Sequence, residues 1–255
     1  KFKTWKFEFM KTLELIKTGS DLLKEKKIPS FILDSELLLS KTLNKSREEI
    51  LIDLEKEINE KEINIYKEYL MRRSKSEPMA YILGEKEFWS KKFKVNEHTL
   101  IPRPETELLV EELLKVYNKK KISILDVGTG SGCIIISLIG HLNRSFGIGI
   151  DISKNAISLA KKNAMNHGLD QKIRFFNKSF ENIFSKKFDL IVSNPPYIER
   201  KNIKNLRDDI RKYEPRMALD GGNDGLDLIK KIIYKSTCIL KVRGMLALEI
   251  GNKQI

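Results

Sequence analysis

A chain of 255 residues, 41% hydrophobic and 33% charged, has the composition of a soluble globular protein with room for one α/β domain and a small accessory one. No apolar run reaches the length of a bilayer span. The opening stretch with Trp5, Phe7 and Phe9 is broken by charges and lacks the apolar core and cleavage site of a signal peptide. A net charge of +13 raises the question of a polyanionic partner such as RNA. The lysines, however, are spread along the chain with no dense basic stripe and no interleaved aromatics, so compositional bias accounts for the charge.

Cys133 and Cys238 are far apart, and His98, His141 and His167 are scattered. No metal site and no disulfide framework is expected, and a reducing cytoplasm is the default.

Residues 1–76 read as a small helical bundle of three to five helices. Phe9, Leu13 and Ile16 recur at helical spacing. Gly19 and Pro29 punctuate the run. Ser30 is placed to cap a helix bearing Leu33, Leu37, Leu39 and Leu43. Ser46-Arg47-Glu48-Glu49 is a capping box, and Ile63, Tyr66 and Leu70 form one more apolar stripe. Nothing in this bundle looks catalytic, so its expected role is support or partner recognition. From Pro78 the pattern turns to strand, with Tyr81, Ile82, Phe88, Phe93 and Val95 around Gly84. Residues 77–101 are therefore expected to form a β-hairpin linker, and 102–255 the main domain.

That domain opens with Ile101-Pro102-Arg103-Pro104-Glu105-Thr106-Glu107 and a helix running to about residue 118. Pro104 suits a first helical turn, and Glu105 and Glu107 complement its positive end. Two prolines around an arginine, with Thr106 close behind, could also form a rigid wall beside a pocket. Strands at 122–127, 146–150, 173–176, 188–193 and 245–250 then alternate with helices at 133–142, 153–167, 201–211 and 226–240. Alternation of this kind predicts a doubly wound α/β sheet.

Asp126-Val127-Gly128-Thr129-Gly130-Ser131-Gly132 closes the first strand and opens a helix. Its glycines permit a tight turn and close approach to a ligand. The spacing is G-x-G-x-G. A dinucleotide fold wants G-x-G-x-x-G, and a Walker loop adds a lysine. The loop therefore suits a ligand without phosphate, whose amino-acid portion meets Asp126 and the loop amides. Asp151 at the end of the second strand is placed to accept two ribose hydroxyls. Together these residues indicate S-adenosylmethionine.

Asn194-Pro195-Pro196-Tyr197 ends the fourth strand. The prolines stop the strand and hold the asparagine extended. Read alone, this is a stiff strand-ending turn. Beside a methyl-donor loop it presents an amide side chain and a carbonyl at the edge where ligands of open α/β sheets bind.

These motifs resemble the Rossmann-like class I methyltransferases, and those ending their fourth strand this way act on planar amino or amide nitrogens. Further stretches narrow the resemblance. They are Glu77-Pro78-Met79-Ala80-Tyr81-Ile82-Leu83-Gly84, Phe93-Lys94-Val95, the Pro102–Glu107 run, Glu214-Pro215, and Gly221-Gly222-Asn223-Asp224-Gly225. With them the chain is similar to the protein-(glutamine-N5) methyltransferases of peptide chain release factors. The resemblance implies transfer of methyl from S-adenosylmethionine to the glutamine of a Gly-Gly-Gln loop, leaving S-adenosylhomocysteine. It implies cofactor contacts from Asp126, Gly128, Thr129, Gly130, Ser131, Gly132, Asp151, Asn194 and an aromatic, Phe180, against adenine. It implies that Asn194, Pro195, Pro196 and Tyr197 hold the glutamine, with Asn194, Pro195 and Tyr197 catalytic and Phe93 and Pro102 walling the pocket.

In that reading the Asn194 Oδ1 and the Pro195 carbonyl accept the glutamine N–H groups. Two departures stand out. Ser179 occupies the position before Phe180 where the family commonly has an acid. The sequence also ends after the fifth strand, where this class adds a helix and two more strands. The rival reading is an amino methyltransferase of nucleic acids, acting on adenine N6 or guanine N2; a catalytically silent module that binds a ribosomal partner is a third. A monomer that needs no nucleic acid is the expected state.

Overall fold

The computed structural model describes residues 9–183, 187–252 and 254. Trp5 and Phe7 lie outside them, so the reading of the opening stretch has no structural counterpart. The chain divides into two compact units, residues 1–83 and 84–255.

The first unit holds β1 (Phe9–Lys11), α1 (Thr12–Glu25), α2 (Phe31–Leu43), α3 (Arg47–Ile52), β2 (Glu57–Asn59), α4 (Glu60–Ser74) and α5 (Met79–Leu83). The bundle is as expected in kind, with five helices among the described residues. Two details differ. Phe9 sits in β1, paired antiparallel with β2, so α1 begins only at Thr12. The buried face of α1 is then Leu15, Ile16, Gly19 and Leu23, and Leu13 is exposed. Tyr81 and Ile82 are helical and not strand. Pro78 starts that turn, its carbonyl accepting from the N–H groups of both.

The capping box at Ser46 forms as read. The Ser46 hydroxyl accepts from the Glu49 N–H, and the Glu49 carboxylate accepts from the Ser46 N–H. Ile63, Tyr66 and Leu70 are all buried. So is an ion pair, Arg73 with Asp34, that ties α4 to α2 at 2.6 Å.

The second unit begins with a hairpin, β3 (Glu85–Phe88) and β4 (Lys91–Lys94), followed by α6 (Glu105–Tyr117). Next come β5 (Ser123–Val127), α7 (Cys133–His141), β6 (Phe146–Asp151), α8 (Lys154–Asn166), β7 (Ile173–Asn177) and β8 (Phe188–Ser193). The unit continues with α9 (Asp208–Tyr213), α10 (Asp227–Ile239) and β9 (Leu240–Leu248).

The five strands form one parallel sheet in the order β7-β6-β5-β8-β9. Successive side chains point to opposite faces. Ile124, Leu190 and Val192 accordingly join the core beneath α6, α7 and α8, and Leu125, Val127 and Ile191 join the core beneath α10. With both faces covered, this is the doubly wound sheet that the alternation predicts.

The helix expected at 201–211 is instead a 3-10 turn, Arg200–Asn205, followed by α9. Leu206 and Arg207 between them are extended and break the run. β9 starts five residues earlier than the 245–250 pattern suggests. Its first half carries Lys241 and Arg243, and its pairing with β8 shifts register between Phe188 and Leu190. A charged, irregular stretch of that kind hides a strand from a search for apolar runs.

Register fixes what comes next. Val127 is level with Ile150 on one side and Ser193 on the other, and Ser193 is level with Leu248. The segments beginning at residues 128, 151, 194 and 249 therefore leave the sheet side by side at its carboxyl edge. In a parallel sheet, that edge is where a ligand finds a crevice.

Candidate functional site

At that edge lies a cavity of about 320 Å³. Its walls include Gly128, Thr129, Gly130, Ser131, Asp151, Phe180, Asn194, Pro195, Pro196 and Pro102. Four expected site residues do not line it: Asp126, Gly132, Tyr197 and Phe93.

The glycine loop turns at positive φ, +69° at Gly128 and +54° at Gly130. Side chains rarely adopt that backbone. A Cβ at Gly128 would meet nothing within 4 Å and would stand in the open space beside the loop. The loop is held from several sides. The Gly128 and Thr129 N–H groups donate to the Ile150 carbonyl. Asn163, fully buried on α8, donates from Nδ2 to the Ser131 carbonyl at 2.8 Å. Asn163 also exchanges hydrogen bonds with the Lys94 backbone, so β4 is pinned behind the loop.

Asp151 is the loop's other tether. Its Oδ2 accepts from the Gly130 N–H at 3.0 Å, and its Oδ1 from the Ser153 N–H at 2.8 Å. Burial raises its carboxyl above the ordinary range, and these N–H groups counter the rise. A carboxylate accepts about four hydrogen bonds, so lone pairs remain for a ligand at the cavity wall.

Asp126 sits behind the loop and is fully buried. Its Oδ2 accepts from the Thr129 hydroxyl at 2.6 Å, and its Oδ1 has no hydrogen bond of good geometry among the described residues. Burial first, and the Asp151 charge after it, push this carboxyl up to about 7. The sign of the consequence follows from proton counts. Unfolded, the group releases its proton near 3.8; folded, it holds the proton to about 7. Between those values the folded state binds more protons, so stability contributed here falls as pH rises through that window. Asp126→Asn is therefore expected to raise the melting temperature of the ligand-free protein by several degrees at pH 8. The gain should shrink at pH 5, as thermal melts at both pH values will show. A gain equal at both would contradict the burial account.

Asn194 leaves β8 into the double proline, with Pro195 buried. The asparagine side chain is held from α6: its Nδ2 donates to the Thr106 hydroxyl at 3.1 Å. Thr106, itself 2% exposed, donates in turn to Glu249 Oε2 at 2.6 Å. The Tyr197 hydroxyl reaches the other oxygen, Glu249 Oε1, at 3.4 Å. Tyr197 is thus half-buried and turned toward Glu249, which corrects its expected place in the slot. Gln254 completes the support by donating from Nε2 to the Tyr197 and Gly225 carbonyls, both at 3.1 Å.

Phe93 is a second correction. It is fully buried in the core, edge-on to Phe88 and tilted against His167 with ring centroids 5.0 Å apart. Its role here is to seat the hairpin. Pro102 does line the cavity, and its neighbour Arg103 is fixed there by Glu214. Glu214 is 5% exposed and also accepts from the Ile101 N–H. Burial raises the Glu214 carboxyl, and the Arg103 charge opposes that rise.

At the far end, Phe180 is buried as a cavity wall beside Ser179. The Ser179 hydroxyl accepts from the Glu181 N–H and caps a short turn. The acid on this wall is Glu181, two residues on and paired with Lys231 of α10 at 3.0 Å. Glu249 and Glu181 were not singled out in the sequence, and Thr106 and Glu214 only as parts of the Pro-Arg-Pro wall and of a family motif. Their partners lie far away along the chain, 143 residues in the case of Thr106 and Glu249.

Residues 14–84 match the family model described as the PrmC N-terminal domain, and residues 104–223 match the methyltransferase small domain. The release factor glutamine methyltransferase of Caulobacter vibrioides is 38% identical over 248 residues, spanning 95% of this chain and 86% of its own. The protein of the same name from Geobacter sulfurreducens is 40% identical, spanning 91% of this chain and 81% of its own. A bifunctional methyltransferase of Rickettsia conorii is 37% identical over 94% of this chain, which spans about half of that longer protein, 51%. The likeness runs through the helical unit and the sheet unit alike, over most of the length of relatives that bear one name: the chain belongs to the family of release factor glutamine methyltransferases.

Proposed function

We propose that this protein transfers a methyl group from S-adenosylmethionine to the side-chain amide nitrogen of the glutamine in the Gly-Gly-Gln loop of a peptide chain release factor. The observation that carries this reading is the setting of Asn194. Its Nδ2 is engaged by Thr106, which leaves Oδ1 as an acceptor on the same cavity that the glycine loop and Asp151 line.

The residues fit the methyl donor. Gly128 leaves room where a side chain would intrude, and Asp151 keeps acceptor capacity for two ribose hydroxyls. Asp126 does not line the cavity, but its buried carboxyl behind the loop, with one oxygen lacking a good partner, makes the ground behind the loop favourable to a cationic ligand. Phe180 offers an apolar face to adenine. When bound, S-adenosylmethionine supplies an electrophilic methyl on a sulfonium.

The chain's own part is positioning. A glutamine amide nitrogen is a poor nucleophile, because its lone pair is delocalised into the carbonyl. Asn194 Oδ1 and the Pro195 carbonyl are two acceptors for the two amide N–H groups. They stand on a turn that the prolines stiffen, so no reorganisation is needed as positive charge grows on nitrogen. Arg103 and Pro102 form the opposing wall, held by Glu214. No strong base is required before transfer, since the proton leaves the nitrogen afterwards.

The chain acts alone in this reading, and the first unit serves release-factor recognition. Incubation with labelled S-adenosylmethionine and either purified release factor or total RNA tests the substrate. Label is expected in the release factor; label confined to RNA would assign the site to nucleic-acid amino groups.

A further inference from the structure

We infer that Thr106 and Glu249 form a positioning pair that fixes which way the Asn194 amide faces, and through it the discrimination of an amide from a carboxylate substrate. The inference rests on the proposed function. Its basis is donor and acceptor counting. A carboxylate has acceptors only, and a threonine hydroxyl has a single hydrogen. Glu249 Oε2 stands 2.6 Å from Thr106 Oγ1, so the Thr106 hydrogen is spent on it. What Thr106 offers Asn194 is a lone pair, and only the Asn194 NH₂ satisfies it, at 3.1 Å.

With the amide reversed, Asn194 Oδ1 would face an oxygen with no hydrogen left to give, in a place where Thr106 is buried. Leaving such groups unpaired is costly. The Tyr197 hydroxyl, on the other oxygen of Glu249, holds that carboxylate in line. The acceptor face of Asn194 is thereby locked toward the substrate before it arrives. An N–H donor from glutamine is welcomed, and the oxygen of a glutamate in its place is refused.

Thr106→Val keeps the shape and removes the hydroxyl, so both amide orientations become equivalent. Glu249→Leu removes the acceptor, which frees the Thr106 hydrogen to point at Asn194 and supports the reversed amide. Thr106→Ser retains the hydroxyl. The experiment measures three quantities for each variant: kcat and KM with a release factor, calorimetric affinity for S-adenosylmethionine, and relative binding of release factors whose loop carries Gly-Gly-Gln or Gly-Gly-Glu.

Wild type is expected to bind the glutamine form at least about 10-fold better. In Thr106→Val, kcat should fall about 30-fold with cofactor affinity within about threefold, and the glutamine preference should approach unity. Thr106→Ser should restore both to within about threefold. Glu249→Leu should lower the preference as Thr106→Val does. A Thr106→Val protein that keeps its preference, or a Thr106→Ser protein as impaired as the valine variant, would overturn the inference while wild-type transfer still upheld the function. Failure of wild type itself to methylate the release factor would overturn both.

Discussion

Asn194→Ala is expected to bind S-adenosylmethionine within about threefold of wild type while methyl transfer to a release factor falls about 10²–10³-fold. The expected split follows from where the side chain sits. The glycine loop and Asp151, the proposed ribose acceptor, belong to the ends of β5 and β6, and Asn194 to the end of β8. Truncation removes the proposed acceptor for the reacting nitrogen but leaves the loop tethers Asp151, Ile150 and Asn163 in place. The loss should appear in kcat, because the interaction strengthens as charge develops on nitrogen. Single-turnover kinetics with calorimetry on the same protein separate the two quantities. Near-wild-type turnover would remove Asn194 from the mechanism.

Asp151→Ala is expected to do the reverse. In the proposed binding mode two charge-assisted hydrogen bonds to ribose are lost, each contributing about 1.5–3 kcal/mol, so affinity for S-adenosylmethionine should fall about 10²–10⁴-fold. The Gly130 N–H also loses its anchor at 3.0 Å, which loosens the loop. Stability should suffer far less than affinity. Burial raises the Asp151 carboxyl in the folded protein, so removing the charge relieves a desolvation cost. Calorimetric titration with S-adenosylhomocysteine and a thermal melt give both readings. An unchanged affinity would mean that the ribose lies elsewhere.

The parts of this site that could be read in the sequence are those carried by short local patterns. The strand 188–193 appears in the structure with the same bounds, Phe188–Ser193, because an apolar run stopped by two prolines has few alternatives. The glycine loop and Asp151 were legible for the same reason: each is a strand end followed by a turn. Periodicity also found the Tyr66 face of α4. It failed at Tyr81, where a preceding proline started a helical turn among residues of strand-like composition. At Phe93 it found the strand, β4; the expectation that Phe93 walls the pocket came from the family resemblance, and the side chain lies in the core instead.

The support of Asn194 was out of reach. Thr106 looks like an ordinary residue of a first helical turn, and Glu249 like the polar end of a strand. Their meeting depends on α6 returning to the sheet edge and on β9 lying beside β8, contacts of 88 and 143 residues' separation. What the linear pattern placed well was the residues at the end of each strand. What it could not place was the side chains that orient that chemistry from elsewhere in the fold.

The most direct test of the central claim is mass spectrometry of a release factor after incubation with this protein and S-adenosylmethionine. The tryptic peptide carrying the Gly-Gly-Gln loop is expected to gain the mass of one methyl group, and fragmentation should localise it to the glutamine side chain. A peptide that stays unmodified while S-adenosylmethionine is bound, or a methyl group found on any other residue, would contradict it.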